Sequence, residues 1–297
     1  MSSLHDAAAP GCTCPLHARR LFTGLLAGSA LAATLPARAQ DGISGDVGRT
    51  SRFAKLVPAE QVESAATQQY QTMLQEAGAK RALAGADHPQ VQRLRAIAQR
   101  IIPFTAPWNG RAKQWRWEVN LLLTKELNAF CMPGGKIAFY YGILQQLQLT
   151  DDEVATIMGH EVAHALREHA RERIGKTAAT SGAIEIAAAI FGWGNTGRTL
   201  ADLGGQLAVL RFSREDETEA DIVGMELAAR AGYDPGAGVS LWQKMLQASK
   251  GAPPEFMSTH PAGDTRIKDI QAKLPRVQPI YQRASRPERR YSPPAAA

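Results

Sequence analysis

The sequence predicts an α+β fold that is mainly α-helical and contains one small β-sheet. Three patterns support this prediction. Apolar residues recur at helical spacing over 58–84 and 89–102, apolar and polar residues alternate over 115–123, and a capped apolar segment begins at Thr150. The chain has 297 residues, of which 44% are hydrophobic and 21% are charged. This is an ordinary globular composition that can bury a core.

The formal net charge of +6 raises the question of nucleic-acid binding. The basic residues are scattered along the chain, however, and no basic stripe is interleaved with aromatic residues. We therefore expect no nucleic-acid partner.

Residues 1–39 are predicted to be a cleavable export signal. Arg19 and Arg20 begin it, an apolar stretch follows over 21–35, and small residues lead up to Ala39. The stretch is too short and too weakly apolar to span a bilayer. The arginine pair followed by x-Phe resembles a twin-arginine signal, and an ordinary secretory signal is the alternative. Either signal predicts a periplasmic protein of a Gram-negative bacterium.

Cysteine usage agrees with removal of this leader. Cys12 and Cys14 lie inside the leader, and their role stays open. Cys131 then has no cysteine partner in the mature chain. Because it stands between apolar residues and a turn, we expect a buried thiol that packs as a small hydrophobe.

Composition divides the rest of the chain into three parts. Residues 40–57 are rich in Gly, Ser and Asp and are predicted to be a linker, 58–275 form the folded domain, and 276–297 form a Pro- and Arg-rich tail. The tail is expected to be a surface extension or disordered. The apolar segment 181–194 is too short to span a membrane and is expected to be a core helix or a mobile flap. No membrane span is expected in the mature chain, and peripheral membrane contact stays open.

A small sheet is predicted before the histidine-containing helix. Every second residue is apolar along WRWEVNLLL, residues 115–123, which is typical of a half-buried strand. The sequence PGG at 133–135 favours a turn. The following KIAFYYGIL, residues 136–144, is predicted to be a second strand that runs into a short helix.

The next helix has a well-defined start. Thr150 can cap it, and Glu153, three residues later, supplies the other half of a capping box. On such a helix His160 and His164 lie one turn apart on the same face, with Glu161 about 100° around from His160.

Two histidines at this spacing can bind one zinc ion without bending the helix, because imidazole nitrogens bind zinc at about 2.0–2.1 Å. Glu161 cannot easily reach the same ion and is the candidate general base, facing a water molecule. A catalytic zinc site needs a third protein ligand.

The third ligand is predicted on a later helix, at about 214–231. Ser213 and Asp216 favour its start, and Gly232 favours its end. Glu217 and Asp221 are four residues apart and share one face, so Glu217 can complete a site for one Zn²⁺ per chain. Asp221 can accept the free ring N–H of a ligating histidine.

The alternative interpretation of this acidic run is a solvated face. We expect solvent exposure for the carboxylates that point elsewhere, which are Glu215, Asp216, Glu219 and Glu226.

The combination of HEVAH with the later ETEAD resembles the gluzincin zinc metallopeptidases of the BepA, HtpX and mitochondrial OMA type. The likeness covers about residues 90–272 and includes NAFCMPGGKIAFYYGIL and STHPAGDTRI. It is similar to a short BepA-like form without a tetratricopeptide tail. The resemblance implies a zincin-type catalytic domain with an active-site helix, the zinc ligands His160, His164 and Glu217, and the base Glu161.

A function follows from this resemblance. It implies a zinc endopeptidase that cleaves unfolded or misassembled cell-envelope proteins as protein quality control. Unfolded polypeptide substrates are expected to add to an exposed edge strand at 136–140. The alternative is a zinc-binding periplasmic holdase chaperone that holds unfolded chains without cutting them.

His260, in the Thr-His-Pro segment, stays open. A histidine in a loop is usually a surface residue, but the resemblance suggests a loop over the cleft. There His260 can occupy zinc's open position as a gate, which we favour, or donate a hydrogen bond to the oxyanion as a catalytic group.

Overall fold

The computed structural model describes residues 44–48, 50–180, 211–249, 254–260 and 265–296. Three predicted features lie outside the described residues. They are the export signal at 1–39, the cysteine pair Cys12 and Cys14 within it, and the apolar segment at 181–194.

Two long helices begin the folded part. Helix α1 spans Ala59–Ala79, and α2 spans Pro89–Ile101 with the His88 side chain accepting from the amide of Gln90 at its start. Both predicted helices are confirmed, but α1 ends earlier than the predicted residue 84. The helix ends there because the backbone of residues 82–84 forms hydrogen bonds with residues 121–123, at the end of the first strand.

The sheet has three short strands, which are β1 (Glu118–Leu122), β2 (Ala129–Met132) and β3 (Lys136–Tyr140). Their order is β1-β3-β2, with β1 parallel and β2 antiparallel to β3. The turn between β2 and β3 uses two glycines at φ 83° and 77°, a conformation that favours glycine.

This order corrects the predicted edge strand. The segment 136–140 forms the central strand β3, and both of its sides are paired. The sequence interpretation missed β2, which is only four residues long and was taken as apolar residues before a turn. Among the residues that the structure describes, the strand with an unpaired side next to the histidine helix is therefore β2.

Helix α3 (Tyr141–Gln146) leads to α4 (Asp151–Leu166), which carries the two histidines. The predicted capping box at the start of α4 is confirmed, with the Glu153 carboxylate 2.8 Å from the amide of Thr150. Nearly every residue of α4 is buried, so this helix runs through the centre of the domain.

Helix α5 (His169–Thr180) follows a turn at Glu168, whose φ is 60°. Helix α6 (Arg214–Arg230) begins with the predicted capping box of Ser213 and Asp216. Helices α4 and α6 touch backbone to backbone. A Cβ added to Gly224 would lie 2.6 Å from the amide nitrogen of His160, so this crossing requires glycine.

The described part ends with α7 (Ala237–Ala248), α8 (Glu255–Thr259) and α9 (Arg266–Arg283). The structure differs here from the predicted tail, because α9 continues past residue 275 and buries Val277 and Ile280. Beyond α9 the amide of Tyr291 donates to Asp151 at the start of α4. The described part of the predicted tail at 276–297 therefore packs against the domain.

The predicted linker at 40–57 also has packed parts. Its described residues include two 3₁₀ turns, Ser44–Asp46 and Arg52–Leu56, and Ala54 and Val57 are fully buried. The charge pairs between Asp46 and two basic side chains of α9, Lys273 and Arg276, explain why this polar segment stays on the domain.

The main core lies among α2, α4, α6 and the sheet, and a smaller cluster packs α1 over β2, β3 and α5. Cys131 is buried in the main core, as predicted. Within the described residues, no helix combines the length and the apolar character that crossing a membrane requires.

Candidate metal centre

Side chains from three elements meet where α4 crosses α6. Nε2 of His160 and Nε2 of His164, one turn apart on α4, are 3.1 Å from each other. The Glu217 carboxylate reaches them from α6, with Oε2 3.4 Å from Nε2 of His160 and Oε1 3.4 Å from Nε2 of His164. The structure thus brings together the three predicted ligands, all buried.

His260 joins the same cluster from the end of α8. Its Nδ1 lies 3.0 Å from Oε1 of Glu217 and 3.3 Å from Nε2 of His160. Phe256 stacks on its ring with centroids 4.5 Å apart, and this contact holds the imidazole toward the cluster. The residue left open as a surface histidine is 2% exposed.

The four donor atoms fit a small tetrahedral cation. A zinc ion bound at 2.0–2.2 Å holds its donor atoms about 3.3–3.6 Å apart. Five contacts among the three imidazole nitrogens and the two oxygens of Glu217 measure 3.0–3.4 Å. All four atoms lie within 4.8 Å of one another. Imidazole nitrogens with a carboxylate form a donor set that zinc prefers.

Glu161 lies beside this cluster. Its carboxylate is 2% exposed, and Oε1 makes no hydrogen bond within the described part of the chain. Nε2 of His260 lies 3.5 Å from this oxygen. Burial raises the pKa of Glu161, which is the direction that suits a proton acceptor working near neutral pH.

Asp221 lies behind the candidate ligand His160, with Oδ1 3.0 Å from Nδ1 of the ring. Arg266 of α9 donates to both oxygens of Asp221 at 2.7 Å and to Oε2 of Glu217 at 2.8 Å. The guanidinium lies 3.7 Å over the ring of Trp242. One buried cation therefore fixes two carboxylates of the cluster.

These contacts determine the electrostatics of the cluster. Burial works against the charge on His160, but hydrogen bonds with Asp221 and Glu217 outweigh it and raise the pKa of His160 to about 9. Burial also works against the Glu217 carboxylate, yet three histidines hold its pKa well below the usual range. Burial lowers the pKa of His164 well below its usual range, so binding a cation at this cluster would release a proton from His160.

Comparisons with known proteins agree with this geometry. The sequence profile of Peptidase family M48 matches residues 87–274. The chain belongs to family M48. Among its relatives is the mitochondrial metalloendopeptidase OMA1 of Schizosaccharomyces pombe, 33% identical over 64% of this chain and 55% of that protein.

Two bacterial M48 relatives come from Escherichia coli. Metalloprotease LoiP is 28% identical over 67% of this chain and 77% of its own length. The beta-barrel assembly-enhancing protease is 25% identical over 56% of this chain and 36% of its own length. The chain spans only 30–55% of the length of four OMA1 relatives from fungi, a plant and cattle.

The sequence interpretation was wrong about the exposure of three carboxylates of this M48 domain. The side chain of Asp216 is 14% exposed and accepts a hydrogen bond from the amide of Ser213. Glu226 is 3% exposed and pairs with Arg230 one turn later. Glu219 is only partly exposed, and Oε2 lies 2.9 Å from Arg167 and 3.3 Å from His169. The partners of Glu219 lie outside α6 and could not be identified from that helix alone. Glu226 has its partner Arg230 on the same helix, but its burial depends on how α6 packs in the domain.

Two residues of the site were missed altogether. Arg266 comes from α9, far along the chain, and no pattern within α6 indicates it. His169 is next to the motif, but its contact with His164 depends on the turn at Glu168. The signal that could have found His169 is a third histidine shortly after HEVAH.

Proposed function

We propose that the chain is a zinc-dependent endopeptidase, with His160, His164 and Glu217 as ligands of one zinc ion and Glu161 as the general base. One observation carries this proposal. The buried carboxylate of Glu161, whose Oε1 has no hydrogen-bond partner among the described residues, stands beside three side chains at distances suited to one tetrahedral cation. A structural site would have no use for such a carboxylate.

The zinc ion would polarise a peptide carbonyl and make a water molecule more acidic. Glu161 accepts the proton of the attacking water and later delivers it to the leaving amine. Asp221 accepts the Nδ1–H of His160, which keeps Nε2 of that ring free as a ligand. Arg266 offsets the negative charge of Glu217 and Asp221.

The substrate class follows from β2. This edge strand lines a cavity together with Glu161, His164 and His260. An extended peptide can add to an unpaired strand edge through main-chain hydrogen bonds, which unfolded segments can do and compact folds cannot. Unfolded or misassembled envelope proteins fit this requirement, and the beta-barrel assembly-enhancing relative supports the choice.

The cleft must open before a peptide can bind. Glu161 and His164 are 2% and 3% exposed, so the described arrangement leaves no room for a substrate. Phe212 stacks on His164 with centroids 3.9 Å apart, and its amide donates to Thr259. Movement of Phe212 and His260 away from α4 would expose the edge of β2.

His260 is proposed as the gate of this cleft. A fourth protein ligand excludes the water that the reaction needs, so displacement of His260 by substrate would switch the enzyme on. The competing role is catalytic, with the displaced imidazole donating to the oxyanion. The 3.0 Å contact with Glu217 supports the resting position of the gate.

We place the enzyme in the periplasm, where the leader at 1–39 would deliver it. Replacing Arg19 and Arg20 by lysine should leave unprocessed precursor in the cytoplasm if the twin-arginine route is used. Normal processing of that variant would assign export to the general secretory route.

The alternative function is a zinc-binding holdase without proteolytic activity. A closed set of four ligands that includes His260 favours it, because structural zinc sites are closed by four protein ligands. Zinc content and cleavage of casein, with and without a chelator, separate the two functions. Zinc-dependent cleavage supports the endopeptidase, and intact casein with zinc fully bound supports the holdase.

A further inference from the structure

The turn after α4 changes the direction of the chain within three residues. Arg167 ends the helix, Glu168 adopts φ 60°, and His169 begins α5. In one continuous helix, residue 169 would point about 140° away from residue 164. The turn instead returns His169 beneath His164, where it is 2% exposed.

The two rings meet edge to face. Nδ1 of His169 lies 2.9 Å from Nδ1 of His164, and the ring centroids are 4.9 Å apart. Nε2 of His169 faces the other way, 3.3 Å from Oε2 of Glu219. His164, His169 and Glu219 thus form a continuous hydrogen-bonded series that leads away from the cluster.

Hydrogen-bond chemistry fixes the direction of this series. A metal ligand must present a lone pair, and His164 presents Nε2 to the cluster, so its ring hydrogen is on Nδ1. Nδ1 of His169 then accepts that hydrogen and its own hydrogen is on Nε2. Glu219 ends the series, since an ionised carboxylate can only accept.

The far end of the series is anchored. Arg167 donates to Oε2 of Glu219 at 2.9 Å and to the carbonyl of Gly48, so the carboxylate is held in place. Asp216 adds a second negative charge, with Oδ1 4.0 Å from Nε2 of His169. Both carboxylates favour a hydrogen on Nε2 of His169.

We propose that His169 is a positioning residue that fixes the tautomer and the orientation of His164 and is itself oriented by Glu219. The proposal rests on the proposed zinc site. His160 obtains the same support directly from the carboxylate of Asp221, whereas His164 obtains it through an intervening imidazole. The two ligands of one helix are therefore supported by different chemistry.

Loss of the hydrogen-bond acceptor Nδ1 of His169 should weaken zinc binding. Replacing the partner of a ligating histidine typically costs about tenfold to hundredfold in metal affinity. His169→Phe fills the site without accepting a hydrogen bond, and we expect a loss of this size. His169→Asn places an amide oxygen close to the position of Nδ1, and it should recover most of the affinity.

The experiment measures the zinc dissociation constant of the full chain by competition with a chelating indicator. Glu215→Gln is the matched control, because it removes a charge from the same turn as Asp216 without contacting His169, and its affinity should equal that of the wild type. The absorption spectrum of the Co²⁺-loaded protein should change in His169→Phe and return toward wild type in His169→Asn. Equal affinities and spectra for wild type and His169→Phe would overturn the proposal.

Two readouts distinguish the proposed positioning role of His169 from a purely structural role. If His169→Phe and His169→Asn weaken zinc binding equally, the acceptor is not what matters and the proposal fails. The second readout needs no variant, since nitrogen-15 NMR of the zinc-loaded wild type should show the ring hydrogen of His164 on Nδ1. Finding the hydrogen on Nε2 would contradict the proposed direction.

Failure of the zinc site itself would look different. Wild type and His164→Ala would then bind zinc equally poorly, which would reject the proposed function. Tight binding by wild type that is lost in His164→Ala but unchanged in His169→Phe would reject only the role of His169.

Discussion

Nη1 of Arg266 lies 2.8 Å from Oε2 of Glu217, and both side chains are almost completely buried. Burial works against the charge on Arg266, but the carboxylates of Asp221 and Glu217 outweigh this effect and raise its pKa. The guanidinium therefore stays charged and holds the proposed third ligand in place. We therefore expect the stability of the fold and the proposed metal binding to depend on the same buried ion pair.

Arg266→Met should destabilise the metal-free protein strongly. It leaves the carboxylates of Glu217 and Asp221 buried without their counter-charge, and breaking a buried pair costs about 3–5 kcal/mol. Arg276→Met is the control on the same helix, because its pair with Asp46 is exposed to solvent and should matter far less. Urea unfolding measures both variants, and equal losses would contradict the role given to Arg266.

Gly224→Ala should separate α4 from α6. The new methyl group would lie 2.6 Å from the amide nitrogen of His160, so one helix must shift, at a cost of about 1–3 kcal/mol. The shift moves Glu217 away from the histidines, and zinc affinity should fall as well. Gly78→Ala, with open space around its new methyl group, should leave zinc affinity unchanged. A zinc affinity equal to that of the wild type in Gly224→Ala would refute the prediction that the close contact of α4 with α6 positions Glu217.

His260→Ala should raise basal cleavage of an unfolded substrate such as casein, because the gate no longer occupies the open position. Zinc content should stay unchanged, since His160, His164 and Glu217 remain. A fall in turnover with zinc retained would instead support the oxyanion role. No change in either quantity would mean that His260 only packs against the cluster.

Asp46→Asn should reveal a pH-dependent contact of the N-terminal segment with α9. Hydrogen bonds from Arg276 and Lys273 lower the pKa of Asp46 from 3.8 to about 2. Because the folded state favours the ionised form, this stabilisation is present above pH 3.8 and is lost as the pH falls through 2. The difference in urea midpoint between wild type and variant should therefore shrink over this window, and added salt should reduce it at pH 7. A constant difference would argue against the contact.

Local signals made much of the fold predictable. The capping boxes of Thr150 with Glu153 and of Ser213 with Asp216 use residues three apart, so the starts of both central helices can be derived from sequence. The end of α6 could also be predicted from sequence, because Gly232 follows the helix and adopts φ 85°. Helical spacing on one face of each helix then predicted the candidate ligands, which are His160 and His164 on α4 and Glu217 on α6.

The remaining features depend on contacts between distant parts of the chain. Strand β2 has four residues, and its place at the edge is fixed only by pairing with β3. Arg266 reaches Glu217 because α9 packs along α6. The sequence periodicity of neither helix predicts this packing. The buried position of Glu226 was missed for the same reason.

The central claim is that a buried zinc site with Glu161 as its base cleaves peptide bonds. The most direct test measures zinc content and casein cleavage together for wild type and Glu161→Gln. We expect one zinc ion per chain in both proteins, chelator-sensitive cleavage by wild type, and a rate lower by roughly 10²–10⁴ in Glu161→Gln. Cleavage at the wild-type rate by zinc-loaded Glu161→Gln, or no cleavage by zinc-loaded wild type, would contradict it.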